Sequence, residues 1–151
     1  MEANNFLNFA QKIDYAYSII SEPLVKRYGL PKVSFDILMF LANNPEYKTA
    51  QEVSEIRHIK KNLVSVHVEK LVAAGYLRRS EVEGDRRKIG LDCTEKADEI
   101  ISAGREMQKM FIDKLNNGIS QEEWKVHNEV FEKLLKNAEA IAQTEEGEKE
   151  C

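Results

Sequence analysis

The first apolar positions of the chain recur at steps of three and four residues, which is the spacing of one face of an α-helix. They predict a helix over about 5–28, with Gly29 as its stop. Pro23 lies inside this span, and we expect it to kink the helix rather than end it, because the pattern continues beyond it. The stripe consists of Phe6, Phe9, Ala10, Ile13, Tyr17, Ile20 and Leu24.

A second helix is predicted after Leu30-Pro31, with Ser34 as a candidate cap and Asn43-Asn44-Pro45 as its end. Its apolar residues are Phe35, Ile37, Leu38, Phe40 and Leu41. Thr49 and Glu52 then have the spacing of a capping box, in which each side chain accepts a hydrogen bond from the other residue's backbone N–H. We therefore expect a short third helix to begin there.

The third and fourth predicted helices form a helix-turn-helix. Arg57-His58-Ile59 connects them, and Gly75 ends the fourth. Their apolar positions are Ala50, Val53 and Ile56 in the third helix and Val64, Val68, Leu71 and Val72 in the fourth. In a DNA-binding protein of this kind the second helix of the pair lies in the major groove.

A short hairpin is predicted next. Residues 76–82 and 89–93 have the composition of strands, and the basic segment Glu83-Gly84-Asp85-Arg86-Arg87-Lys88 is predicted as the turn between them. A two-stranded hairpin is only marginally stable alone, so it must pack on the helices and leave its tip exposed. The hairpin is therefore a wing, and an arginine on its tip can enter the minor groove of DNA.

The last third of the chain predicts two more helices, over about 94–142, with a second capping box at Ser120 and Glu123. With the first helix they offer more apolar surface than the central lobe can cover, so we expect a partner surface. The residues from 143 to 151 are rich in glutamate and are expected to fray in solvent. The two apolar stripes are Ala97, Ile100, Ile101, Gly104, Met107, Phe111 and Leu115, then Trp124, His127, Phe131, Leu134, Leu135, Ala138 and Ile141.

The net charge of −4 hides an uneven distribution. From Arg57 to Lys88 there are nine basic and four acidic residues, a net charge of +5, which leaves −9 for the rest of the chain. A basic middle in an acidic frame is typical of a local phosphate-binding surface. A solvated charged face would give the same count, so charge alone does not separate the two readings.

Length and composition limit the class of protein. The 151 residues, of which 42% are hydrophobic, predict one domain. No stretch approaches the roughly 18 apolar residues of a membrane span, and no signal segment is visible at the start, so we expect a cytoplasmic protein with no membrane partner. Cys93 and Cys151 lie far apart without C-x-x-C spacing and are expected to be reduced thiols.

Catalytic motifs are missing from the sequence. There is no H-E-x-x-H, no glycine-rich phosphate loop and no G-x-S-x-G. We therefore expect no enzyme activity, no cofactor and no metal site. His67 is expected on the inward side of the fourth helix as a satisfied residue, and His127 in the last apolar stripe. Cys93 is expected to be an inert apolar thiol of a wing strand.

The wing carries the most specific motif. Asp85-Arg86-Arg87-Lys88-Ile89-Gly90-Leu91-Asp92-Cys93-Thr94 has the pattern D-x-R-x-x-x-L-x-L-T, with Cys93 in place of the second leucine. In this motif, and over nearly its whole length, the chain resembles the MarR family of bacterial and archaeal regulators. The resemblance implies that Asp85 orients the wing, that Arg87 enters the minor groove and that Thr94 caps the next helix.

The resemblance further implies that the terminal helices build a homodimer and that an effector site lies between these helices and the DNA-binding lobe. Three positions of the fourth helix differ from the family. Lys60 stands where a capping serine is usual, and Leu63 and Val66 stand where polar or basic residues are common. Apolar side chains can nevertheless contact thymine methyl groups.

The sequence thus predicts a mainly α-helical protein of about six helices, with a winged helix-turn-helix lobe over about 32–93 and dimerisation helices over about 5–28 and 94–142. The predicted function is a sequence-specific transcriptional regulator, a repressor released by a small-molecule ligand, that binds an inverted repeat of double-stranded DNA as a homodimer. The predicted DNA contacts are Lys60, Lys61, Asn62, Ser65, Val66, Arg86, Arg87 and Lys88, with Asp85 supporting the wing.

Two alternatives remain at this stage. A winged-helix protein-interaction module would explain the apolar Leu63 and Val66, but it gives no reason for the basic wing tip. The other alternative is a redox-sensing regulator that uses Cys93.

Overall fold

The computed structural model describes the backbone of residues 3–149 and the side chains of residues 8–143. Within this range the chain is mainly helical, with one two-stranded antiparallel sheet, as predicted. The elements are α1 Ala3–Tyr28, α2 Lys32–Asn43, α3 Ala50–Arg57, α4 Lys61–Ala73, β1 Leu77–Val82, β2 Asp85–Cys93, α5 Asp98–Leu115 and α6 Gln121–Lys149.

The chain forms two compact units, one up to Ile112 and one from Asp113 onward. The single domain expected from the length therefore stays a prediction. The last helix, α6, continues to Lys149, beyond the end predicted near residue 142. In the part of the chain that the structure describes, no helix is both long and apolar enough to cross a membrane.

Local chemistry sets most helix ends as predicted. Gly29 follows α1 with a φ of 63°, a left-handed conformation that glycine adopts without a steric penalty, and Pro23 lies inside the helix. The capping box of α3 is formed, because Thr49 Oγ1 accepts a hydrogen bond from Glu52 N at 3.2 Å and Glu52 Oε2 accepts one from Thr49 N at 2.8 Å. Ser120 and Glu123 make the same pair of bonds at the start of α6.

Two predicted caps are wrong. The helix α2 begins at Lys32 with Pro31 in the N-cap position, so Ser34 lies inside the helix, where it is fully buried. Thr94 precedes a short 3₁₀ turn but makes no side-chain cap. Its hydroxyl instead donates to the carbonyl oxygen of Gly75 at 2.5 Å, and this bond ties the end of β2 to the chain before β1.

The turn of the wing is shorter than predicted. Strand β2 already begins at Asp85, which pairs with Val82, and Gly84 turns the chain with a φ of 84°. The next pair joins Glu81 to Ile89, so the residues between Asp85 and Ile89 form a bulge on β2. These bulged residues are Arg86, Arg87 and Lys88. Arg86, Arg87 and Lys88 therefore belong to strand β2, but none of them has a pairing partner on β1.

The core lies around α2, which contacts α1, α3, α4 and the wing strand β2. One face of α4 packs into it, and Gly104 lets α5 approach α2 closely, since a Cβ at that position would overlap the Met39 sulfur. The largest buried side chains are Phe35, Ile37, Leu38, Met39, Leu71, Leu77 and Ile100. This packing holds the helix-turn-helix and the wing on one frame.

The capping box gives a first test. We expect Thr49→Ala to lower the free energy of unfolding by about 1 kcal/mol, because the Glu52 N–H loses its acceptor. Urea denaturation at neutral pH and fixed protein concentration measures the change. Gln51→Ala is the matched control on the same turn and should cost only about 0.3 kcal/mol, the size of its side-chain bond to Glu55. A Thr49→Ala protein with the wild-type urea midpoint would contradict the stabilising role of the box.

Candidate nucleic-acid interface

The helix α4 buries one face and exposes the other. Val64, Val68 and Leu71 point into the core, and the side chains on the opposite face are in solvent. The exposed residues of this face include Asn62, Leu63, Ser65, Val66 and Glu69. All predicted contact residues of the helix, and Lys60 at its N-cap, are therefore on the surface.

The N-terminus of α4 has no side-chain cap. Lys60 occupies the N-cap position without a capping bond, and Asn62 Oδ1 accepts a hydrogen bond from Leu63 N at 2.9 Å. The first turn of a helix carries partial positive charge, to which Lys60 and Lys61 add full charges. An exposed helix start of this kind suits a phosphate group.

The turn between α3 and α4 depends on Ser54, which the sequence analysis did not identify. His58 adopts the left-handed conformation, with a φ of 51°. The buried Ser54 holds this turn from both sides, because its carbonyl accepts from Ile59 N at 3.1 Å and its hydroxyl donates to Ile59 O at 2.6 Å. These bonds fix the direction in which α4 leaves α3.

A buried polar pair joins α4 to α2. Ser34 Oγ lies 2.8 Å from His67 Nδ1, and His67 is only 8% exposed. Burial lowers the pKa of His67, and the positive charge of Lys70 lowers it further. The predicted inward, satisfied histidine is thus confirmed. Its partner Ser34 lies 33 residues away, so local spacing carried no signal for the pair.

The wing bulge is held by Asp85. Its Oδ1 accepts a hydrogen bond from the backbone N–H of Arg87 at 3.0 Å, which bends the chain at the start of β2. The three basic side chains that follow Asp85 are all exposed. The carboxylate is therefore in a position to orient the wing.

Four further bonds attach the hairpin to the lobe. Tyr76 N donates to Leu71 O at 2.9 Å, and Leu91 N donates to Lys48 O at 2.7 Å. On the surface, Arg79 of β1 pairs with Glu69 of α4 by a hydrogen-bonded ion pair. Thr94 closes the base of the hairpin through the Gly75 carbonyl.

The acidic residues between Arg57 and Lys88 are partly engaged. Glu69 is paired with Arg79, and Asp85 accepts from the backbone. Five exposed cations lie at the start of α4 and on the bulge, namely Lys60, Lys61, Arg86, Arg87 and Lys88, and Arg57 and Lys70 are also exposed. This distribution gives two positive surfaces on one frame, as a nucleic-acid interface requires.

The cysteine of the wing does not look reactive. Cys93 is half-buried against the core, and burial raises its thiol pKa, with the charge of Asp92 adding to the rise. A high pKa leaves little thiolate, which is the reactive form. Among the described residues, no group of three or more histidine, cysteine, aspartate or glutamate side chains is arranged to hold a metal ion.

The chain is similar to known proteins in the sequence of its helix-turn-helix and in its fold. Residues 28–88 match the model of the MarR family. A MarR protein from Peptoclostridium difficile is 25% identical, with a TM-score of 0.75 over 93% of this chain and 91% of that chain. A MarR transcriptional regulator from Methanosarcina mazei Go1 is 18% identical, with a TM-score of 0.75 over 93% and 94% of the two chains.

A third structure, of the transcriptional regulator PA3341, is 22% identical and has a TM-score of 0.79 over 89% of this chain and 97% of that chain. No sequence among the curated proteins matches the chain. The similarities therefore consist of a family match across the helix-turn-helix and the start of the wing, and of a shared fold over almost the full length.

The buried histidine gives a test by pH. The pKa of His67 is lower in the folded state than its ordinary value of 6.5, so the unfolded chain binds more protons between the two values. We therefore expect the wild-type protein to lose stability as the pH falls below about 6.5. His67→Gln, which keeps a polar group opposite Ser34, should remove this part of the pH dependence. Urea denaturation at a series of pH values measures both slopes.

Ser34→Ala is the matched control for this measurement. It keeps the titrating ring but leaves His67 without its buried partner, which should cost about 1–3 kcal/mol at every pH. The same pH dependence in wild type and His67→Gln would contradict the assignment.

Proposed function

Residues 28–88 match the model of the MarR family, and on that basis we propose that the chain is a MarR-family protein, a sequence-specific transcriptional regulator that binds double-stranded DNA as a homodimer. It acts in the cytoplasm and has no catalytic role. The observation that carries the proposal is the pairing of two exposed basic surfaces, at the start of α4 and on the wing bulge, on one hydrogen-bonded frame.

The proposed contacts divide between the two grooves. Helix α4 enters the major groove, where Lys60 and Lys61 meet phosphates and Asn62, Ser65 and Val66 face base edges. On the wing, Arg87 enters the adjacent minor groove, whose negative potential attracts arginine. Arg86 and Lys88, its neighbours on the bulge, bind the flanking phosphates.

The homodimer is supported by the apolar side chains that α1, α5 and α6 leave exposed. Large apolar side chains that stay exposed on a helix indicate a surface that a partner covers. The exposed apolar residues of these helices are Phe9, Tyr15, Ile19, Met110, Ile112, Leu115, Val126, Val130, Phe131, Leu134, Leu135 and Ile141. In the proposed dimer they pack against the same helices of a second copy, so that two α4 helices face one duplex.

We further propose that the regulator is a repressor that a small molecule releases from DNA. A groove of about 350 Å³ within the first compact unit supports an effector site. Tyr15, Ile19 and Val25 of α1 provide its apolar part, and Glu22 of α1 and Lys32 of α2 provide charges. A groove of this size can hold a small organic ligand. A ligand bound there would contact α1 and the helix that supports α4.

A protein-interaction module is the second candidate, and the exposed Leu63 and Val66 favour it. It leaves the basic bulge without a role. Binding to DNA separates the two functions. An electrophoretic mobility shift with the duplex that flanks the protein's own coding sequence, in the presence of excess unrelated duplex, should give a retarded complex. A protein that binds both duplexes equally weakly would contradict the proposed function.

The wing residues give the first quantitative test. We expect Arg87→Ala to weaken DNA binding by about 1–3 kcal/mol and to lower the salt dependence by about one counterion unit per half-site. Arg78→Ala is the matched control, because it removes an arginine of the paired strand outside the bulge. Binding isotherms at several salt concentrations measure both effects. An unchanged affinity and salt slope for Arg87→Ala would remove the wing from the interface.

Asp85 gives two companion variants in the same assay. Asp85→Asn keeps an oxygen that can accept from Arg87 N, whereas Asp85→Ala does not. Both remove one negative charge near DNA, so electrostatics alone would strengthen binding equally. If the carboxylate holds the bulge, only the alanine variant should weaken binding.

The dimer is tested by placing a charge on its apolar face. We expect Leu134→Glu to convert the dimer to a monomer, because a carboxylate would be buried among apolar side chains. Lys136→Gln on another face of α6 changes the net charge by the same amount and should leave the dimer intact. Light scattering at micromolar concentration measures the mass. A folded wild-type monomer of 17.4 kDa would contradict the proposal.

A further inference from the structure

The polar groups on the outward face of α4 are largely committed within the protein. Ser65 Oγ donates its proton to Lys61 O at 3.0 Å, and Asn62 Oδ1 accepts from Leu63 N at 2.9 Å. Glu69 is engaged by Arg79. Two-bond recognition of adenine by asparagine needs the amide oxygen as well as the amide nitrogen. These bonds take up part of the hydrogen-bonding capacity of this face, so fewer of its groups are available for reading bases than its composition indicates.

The same face presents two large apolar side chains. Leu63 is 41% exposed and Val66 is 50% exposed, and their spacing of three residues places them side by side. Val66 lies on the side of α4 opposite the buried Val64 and Leu71, and Leu63 lies beside the buried face. Such a pair on an otherwise polar surface can contact an apolar group of a binding partner.

The surroundings of the pair indicate what that group belongs to. Lys60 and Lys61 precede the pair on the chain, Lys70 follows it, and all three are exposed. An apolar pair flanked by cations complements the major groove, where phosphates line the edges and the only apolar group on the base edges is the methyl group of thymine.

We infer that Leu63 and Val66 determine the specificity of this regulator by packing on thymine methyl groups in the major groove. The inference rests on the proposed function, and it names the chemistry of the target. Each half-site carries one or more thymine bases at the positions that α4 faces. Hydrogen bonds to base edges contribute less to the choice of sequence than these methyl contacts do.

Deoxyuridine in place of thymidine tests the inference, since it removes the methyl group and leaves base pairing intact. The intact protein is first used to select duplexes from a pool with 20 randomised base pairs, about the length of two half-sites. The enriched duplex is then synthesised with deoxyuridine at one thymine position at a time. We expect roughly a fourfold loss of affinity for each methyl group that α4 contacts. Thymines outside the randomised base pairs are the control, and their replacement should leave the affinity unchanged.

Protein variants assign the effect to the two side chains. Leu63→Ala and Val66→Ala should bind the thymine duplex more weakly and should lose most of the difference between thymine and deoxyuridine. Arg87→Ala is the matched control, because it weakens binding through the wing and should keep that difference. Urea denaturation confirms that each variant is folded. Val66→Thr keeps the shape of the side chain and replaces one methyl group by a hydroxyl. It therefore gives a second measure of the contact between Val66 and the thymine methyl group.

The outcomes separate the inference from the function on which it rests. Enrichment of a sequence whose deoxyuridine form binds as tightly as its thymine form would overturn the inference and leave the regulator in place. The same conclusion would follow if the methyl effect persisted fully in a double variant that carries both Leu63→Ala and Val66→Ala. If no sequence is enriched over unspecific binding, the proposed function itself fails, and the inference fails with it.

Discussion

Burial of one face of α4 against α2 is the constraint on which the rest of the interface depends. Val64 and Leu71 are completely buried, and the Ser34–His67 pair satisfies the polar groups that the contact encloses. Because a helix has only one face to bury here, the opposite face must lie in solvent. Its direction is then set by the Ser54 bonds in the preceding turn. A helix held in this way needs little rearrangement to enter a groove, which lowers the cost of binding.

The wing depends on the same frame. A two-stranded hairpin gains little from its own pairing, so its position comes from bonds to the lobe, such as those from Leu91 to Lys48 and from Tyr76 to Leu71. The bulge then carries three cations where the strand pairing is interrupted. Asp85 holds the backbone of this bulge. The two basic surfaces are therefore fixed relative to each other through backbone bonds of the lobe and through the side chain of Asp85.

Much of this could be predicted from local patterns, and the rest could not for identifiable reasons. Apolar steps of three and four residues indicated the helices, and the Thr49–Glu52 spacing indicated the start of α3, because both signals arise within one or two turns. The caps assigned to Ser34 and Thr94 failed because a hydroxyl near a helix start can bond elsewhere. Their partners, His67 and Gly75, lie far away in the sequence.

The candidate site also has features that the sequence predicts and features that it does not. Exposed cations could be predicted, since charge and helix phase decide exposure. The bulge could not, because six polar residues resemble a turn until the pairing of Val82 with Asp85 is known. The bond between the Ser54 hydroxyl and Ile59 and the pairing of Glu69 with Arg79 also left no pattern that a reader of the sequence could use. Pairing between elements is a property of the packed chain.

In the proposed complex, two copies of this chain present two α4 helices and two wings to one duplex. Hydroxyl-radical footprinting on the DNA flanking its coding sequence tests this most directly, because it reports the number, spacing and symmetry of the contacts together. We expect two protected segments related by an inverted repeat, with centres about one helical turn apart. A single asymmetric protected segment, or no protection at a protein concentration that saturates the mobility shift, would contradict it.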